Sequence, residues 1–162
     1  MIKEVSFSFT IFDSTDDLSN EDKILMLESE KALEKAYAKY SGFNVGASLY
    51  LDNGEIMSAN NQENMALPSS LCAERVLLYY CKANFPKSNV KKMAISVKSS
   101  IEVIDKPISP CGSCRQVMLE YERMQNNNIE ILLKGEKGQV YLIKSVSDLL
   151  PLAFNTNAIN RH

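Results

Sequence analysis

Leu71-Cys72-Ala73-Glu74-Arg75 is answered later in the chain by Pro110-Cys111-Gly112-Ser113-Cys114, and the two segments hold three of the four cysteines. Each precedes a helical pattern, so a fold that brings them together joins two helix starts. Three thiolates with no usable histidine point to a tetrahedral zinc with one position open, the form of a catalytic rather than a structural site. Glu74, two residues after Cys72, is then placed to move protons for a water on such a metal.

The helix-start placement has a physical reason. Three thiolates and one zinc carry a net charge of about −1, which two helix N-termini stabilise while lowering the thiol pKa values. Arg75, one turn from Cys72, adds a positive charge and can donate to the sulfurs, the lesser alternative being a place on a solvated helix face. The remaining thiol, Cys81, follows Cys72 by nine positions, about 180° around a helix, so it points away and reads as a core cysteine. The one histidine, His162, is the last residue and is expected to fray. A structural zinc knuckle with an unseen fourth ligand and a redox C-x-x-C remain the competing readings of these cysteines.

A length of 162 residues, 45% hydrophobic and 23% charged, is that of one ordinary globular domain with a core. No leader or membrane-spanning run is evident, and the expected compartment is the cytosol, where cysteines serve more often as ligands or nucleophiles than in disulfides. A net charge of −2 disfavours a nucleic-acid backbone as partner.

Elsewhere, Val5 to Phe12 alternates apolar and polar residues as a half-buried strand does, with Val5, Phe7, Phe9 and Ile11 on one face. Ser19 and Asp22 resemble a capping box opening a helix over 20–39. Strands are expected over 45–51 and 55–59, joined by the turn Asp52-Asn53-Gly54. A helix from Cys72 to about Asn84, a strand over 93–97 and a helix over 115–124 follow. Strands at 129–133 and 140–143 flank Gly135-Glu136-Lys137-Gly138, and 147–150 makes a last helical turn. This order predicts an α/β fold of three layers, α-β-α, around a mixed sheet of about five strands plus an N-terminal one. Residues 1–18 are expected to form an extension and 19–162 a single catalytic domain.

Five segments, in order, resemble the small homotetrameric cytidine deaminases. Cys72-Ala-Glu-Arg75 and Pro110-Cys-Gly-Ser-Cys-Arg-Gln116 match that family's zinc motifs, in the all-cysteine version of the deaminase signature. Tyr40-Ser-Gly-Phe-Asn-Val-Gly-Ala47, Asn61-Gln-Glu-Asn64 and Leu149-Leu-Pro-Leu-Ala-Phe154 are similar to its remaining motifs. The resemblance implies Zn²⁺ on Cys72, Cys111 and Cys114, with Glu74 as catalytic proton shuttle and Arg75 beside the sulfurs. It also implies a pyrimidine nucleoside bound by Phe43, Asn61, Glu63 and Ala73, with Phe154 stacking on the base from a neighbouring subunit of a homotetramer. Lys39, where relatives commonly have proline, and Leu67, where many have tyrosine, depart from the pattern near the subunit contact.

The implied reaction is hydrolysis of cytidine or 2′-deoxycytidine to the uridine counterpart and ammonia. No nucleic-acid or membrane partner is expected. Two alternatives stand beside it: a deaminase of another cytosine-type nucleoside or nucleotide, and a zinc-stabilised module without activity, which would have no use for Glu74.

Overall fold

The computed structural model describes residues 1–154; His162 lies outside them. Six strands form one sheet: β1 (Thr10–Phe12), β2 (Phe43–Leu51), β3 (Ile56–Asn60), β4 (Val90–Ser99), β5 (Glu130–Lys134) and β6 (Val140–Ile143). Their spatial order is β1-β6-β5-β4-β2-β3. The described residues also form helices α1 (Asn20–Leu33), α2 (Ala73–Asn84) and α3 (Gly112–Gln125), with short 3₁₀ turns at Thr15–Asp17, Leu67–Ser69 and Val146–Leu149.

The period-two alternation of the strands separates two cores. Ala47, Leu49, Met93, Ile95, Ile131 and Leu133 face Leu77, Leu78 and Cys81 of α2 and Met118 and Leu119 of α3. Their neighbours Ala94, Leu132 and Val140 face Leu25 and Met26 of α1 on the other side. The result is the expected three-layer sandwich. Among the described strands only β4 and β5 run parallel, and α3 provides the crossover that parallel neighbours require.

The α1 layer approaches very closely. A Cβ on Gly46 would lie 1.9 Å from the Ser29 carbonyl oxygen and 2.6 Å from the Leu33 nitrogen, so the helix backbone rests directly on β2. Buried hydroxyls complete the contact: Ser48 donates to the Leu25 carbonyl at 2.6 Å, and Ser29 and Ser96 share a hydrogen bond of 2.6 Å. Both polar pairs are thereby satisfied within the core.

Several boundaries differ from expectation. The N-terminal strand covers three residues rather than Val5 to Phe12, because β6 offers so few residues to pair with; the register ends at Thr10 against Leu142. Val5, Phe7, Phe9 and Ile11 are 58%, 50%, 43% and 48% exposed, so the half-buried face is not formed within one chain. Helix α1 stops at Leu33 instead of 39, since Tyr37 leaves helical geometry to bridge Gln62 and exchanges hydrogen bonds with Asn61 and Glu63. Strands β2 and β4 are longer than expected at both or one of their ends, held by cross-strand pairing as far as Phe43–Ser99. Ser19 does cap α1, but Asp22 gives its carboxylate to Lys92 at 2.6 Å, and the reciprocal box forms at Ser14 and Asp17. The two hairpins are where the glycines put them, with Gly54 at φ 90° and Gly138 at φ 84°. Among the described residues no helix is long and apolar enough to cross a membrane.

Because backbone, not a flexible side chain, occupies the space above Gly46, Gly46→Ala is expected to lower stability by about 1–3 kcal/mol. Urea denaturation followed by circular dichroism measures it; an unchanged midpoint would mean that α1 can withdraw from β2 without cost.

Candidate active site

Cys72 is the N-cap of α2 and Cys111 the N-cap of α3, both extended in backbone (φ −69°, ψ 153° and φ −64°, ψ 164°). Cys114 lies in the first turn of α3 and is fully buried. The sulfurs of Cys72 and Cys111 are 3.9 Å apart and those of Cys111 and Cys114 3.4 Å, and all three lie within 4.8 Å of one another. None is in a disulfide. Three soft donors converging at two helix N-termini are chemically suited to zinc and leave a coordination position open. Cys81 is buried in the core beneath α2, as its spacing implied, and takes no part.

The electrostatics favour the anionic cluster. A hydrogen bond from Cys114, supported by Arg75, holds the Cys72 thiol down at about 5. The same Cys72–Cys114 contact, together with burial, raises Cys114 far above the ordinary thiol range. A divalent cation held by the three sulfurs would require Cys114 as a thiolate, as metal-ligating cysteines are. Arg75 reaches Cys72 Sγ through Nη2 at 3.5 Å, so it is a partner of the sulfurs and not a free surface residue.

Glu74 follows from the first turn of α2, only 4% exposed. Its Oε2 is buried and finds no hydrogen-bond partner among the described residues. An unpaired buried carboxylate oxygen is costly and marks a position where something else is meant to bind. Burial, with the nearby Cys72 charge in second place, raises its pKa above the usual carboxylate value.

Above this cluster opens a cavity of about 480 Å³. Phe43, Val45, Ile95, Val97 and Ile108 supply apolar walls, while Asn61, Glu63, Cys72, Glu74, Arg75 and Cys111 supply polar ones. Asn61 is nearly buried, and its side-chain amide grips β2: Oδ1 accepts from Val45 N at 2.8 Å and Nδ2 donates to the Phe43 carbonyl at 2.9 Å. Glu63 accepts from Tyr40 N at 2.7 Å, from Ser41 N at 3.2 Å and from the Ser41 hydroxyl. The Ser41 hydroxyl first, and then the two N–H groups, lower its pKa. The cavity thus holds a carboxylate kept ionised and another pushed toward its neutral form.

The other sequence candidates are placed differently. Ala73 is fully buried and does not line the cavity. Phe154 is 68% exposed and also stands outside its own chain's cavity, its carbonyl accepting from Gln116 Nε2 at 3.2 Å. Leu67 lines the rim from the 3₁₀ turn, and Lys39 is exposed. Sequence reasoning missed Ser41 as the anchor of Glu63, the wall built by Ile108 to Pro110, and the contacts of Arg115 and Gln116. Arg115 had one available signal: it falls one turn after Cys111, much as Arg75 does after Cys72.

Comparison with known proteins places this geometry. Residues 19–127 match the family model described as the cytidine and deoxycytidylate deaminase zinc-binding region, which identifies Cys72, Cys111 and Cys114 as a zinc-binding cluster. The cytidine deaminase of Sporosarcina psychrophila is 37% identical over 131 residues, spanning 81% of this chain and 89% of that protein. That of Halalkalibacterium halodurans is 35% identical, spanning 85% and 97%. The crystal structure of cytidine deaminase from Burkholderia pseudomallei superposes with a TM-score of 0.71 at 34% identity, covering 85% of this chain and all of the other. With identity at this level over most of both chains, and the thiol cluster lying within the region that the family model matches, the chain belongs to the cytidine deaminase family.

Proposed function

We propose that the protein hydrolyses cytidine and 2′-deoxycytidine to uridine and 2′-deoxyuridine with release of ammonia, and that Glu74 carries the protons. The observation behind this reading is the buried, unpartnered Oε2 of Glu74 beside three convergent thiols at the base of a cavity of about 480 Å³. Zinc held by Cys72, Cys111 and Cys114 would supply an acidified water at neutral pH. Glu74 would take one proton from the attacking water and pass it to ring N3 as the C4–O bond forms. It would then take the remaining proton of the new C4 hydroxyl and deliver it to the amine as the C4–N bond breaks, so one water is consumed and one ammonia leaves. The raised Glu74 pKa suits a group that must both take and give protons. Arg75 offsets the sulfur charge from its place on Cys72.

Asn61 and Glu63 bind the ribose hydroxyls, and Phe43 packs against the nucleoside. Glu63 retains accepting capacity, since a carboxylate has about four lone-pair sites and three are engaged. The substrate is the free nucleoside: among the described residues Arg75 is the one cationic side chain lining the cavity and it is committed to Cys72, while the ionised Glu63 repels a 5′-phosphate. The active unit is a homotetramer in which Phe154 stacks on the base held by a neighbour, which accords with its exposure outside its own cavity. A thiol cluster that must stay reduced fits the cytosol. Residues 1–18 form an extension to a single catalytic domain over 19–162.

Ammonia release across cytidine, deoxycytidine, CMP and cytosine tests the substrate. We expect both nucleosides to be turned over, with kcat/KM for CMP at least ten-fold lower; parity between CMP and cytidine would refute the free-nucleoside reading.

Metal and proton functions should separate by mutation. Cys111→Ala is expected to lose zinc by elemental analysis, whereas Glu74→Gln keeps zinc and fold while kcat drops by about 10² to 10⁴. Near-normal turnover in Glu74→Gln would remove it from the mechanism.

Phe154→Ala should weaken turnover by about three- to twelve-fold, the range for an aromatic stack. Refolded together with Glu74→Gln chains, it should gain activity per Glu74-bearing chain, because a site in trans then sometimes unites an intact Glu74 with an intact Phe154. No gain in mixed oligomers of demonstrated composition means that Phe154 acts in cis or not at all.

A further inference from the structure

The two residues that follow the last zinc-binding thiol both reach the C-terminal segment. The Arg115 guanidinium bridges two carbonyls: Nε donates to Pro110 O at 2.7 Å and Nη1 to Leu149 O at 3.0 Å. Gln116 Nε2 donates to Phe154 O at 3.2 Å. Two turns further along α3, Glu122 is 5% exposed and accepts from Val146 N (2.8 Å), Ser147 N (3.1 Å) and the hydroxyls of Ser145 and Ser147 (each 2.8 Å), as well as from Ile129 N (2.8 Å). Beyond β6 the described chain contains no strand and only the single 3₁₀ turn Val146–Leu149. Its location therefore rests heavily on what α3 offers it.

Pro110 is buried, lines the cavity, and its carbonyl belongs to the peptide that enters Cys111. We infer that Arg115 is a positioning residue that registers the second cysteine pair and the C-terminal segment against each other. One planar cation fixes the wall that leads into Cys111 and, through Leu149, the approach of the chain to Phe154. A guanidinium suits the task because its donors are splayed in one rigid plane and reach two acceptors at once; a lysine ammonium on a flexible stem does not hold that geometry. This inference rests on the deaminase reading above. In the assembly proposed there, Arg115 ties the zinc motif of one site to the aromatic residue of the next.

The test uses the full-length zinc-loaded enzyme with Arg115→Ala, Arg115→Lys and Gln116→Ala. Three quantities are read: kcat and KM for cytidine, the rate of zinc release to a chelator, and hydrogen exchange of peptides spanning 145–154. Arg115→Ala is expected to raise KM about ten-fold, the consequence of losing a charge-assisted hydrogen bond. It should also speed zinc release and raise exchange in 145–154. Added methylguanidinium should partly reverse all three, and Arg115→Lys should not restore them. Gln116→Ala, which removes the hydrogen bond to the Phe154 carbonyl and leaves the Pro110 contact in place, should raise KM and exchange without altering zinc release, and it carries the test if Arg115→Ala does not fold. Wild-type KM, exchange and zinc release in Arg115→Ala overturn the inference, as does a loss of stability with KM unchanged and no guanidinium rescue. Should the parent protein not deaminate cytidine, the activity reading falls, while exchange and zinc release still decide the role of Arg115.

Discussion

Everything at the site depends on two helix starts being held within a few ångströms of each other. Three sulfurs lie within 4.8 Å, and as thiolates they would repel strongly. The N-terminal fields of α2 and α3, the Arg75 guanidinium and a bound cation together make the cluster stable. The fold reaches this arrangement through the parallel pairing of β4 with β5. Crossing from β4 to β5 carries α3 over the face already occupied by α2, and Leu77, Leu78, Met118 and Leu119 pack both helices on the same strands. The spacing of the thiols is therefore set by core packing, which resists displacement because interiors are close-packed.

Three carboxylates show how surroundings assign roles to one functional group. Glu122 is buried but saturated by N–H and hydroxyl donors, and it acts as an internal cap for the C-terminal segment. Glu63 sits at the cavity wall with its charge held by Tyr40 and Ser41. Glu74 has the reverse environment, buried with one oxygen unpaired, and its pKa moves up. Donor supply, more than depth of burial, separates the saturated Glu122 from the unpaired Glu74.

The opposite face of the sheet is built more tightly still, and it serves the site at a distance. With α1 resting on Gly46, strand β2 cannot shift toward the helix layer. Phe43 and Val45, on that strand, line the cavity and are pinned by the Asn61 amide. A packing constraint on one side of the sheet thus steadies a wall of the cavity.

The metal chemistry was legible in the amino-acid sequence because it is local. Cys111 and Cys114 are one helical turn apart, Glu74 follows Cys72 within a turn, and the spacing of Cys81 alone removes it from the site. Turn glycines marked the hairpins for a similar reason, since a positive φ at Gly54 and Gly138 is a property of the residue itself. What the tertiary structure decided were matters of partnership. The period-two pattern of Val5 to Phe12 says nothing of how short β6 is, so the length of β1 could not be foreseen. Helical propensity past Leu33 lost to the pairing of Tyr37 with the loop at 61–63. The hold of the Asn61 amide on β2 and the bridge of Arg115 between Pro110 and Leu149 exist only once those segments are brought together. Hydrogen bonds between segments distant in sequence depend on where the backbone finally runs, and only the folded chain determines that.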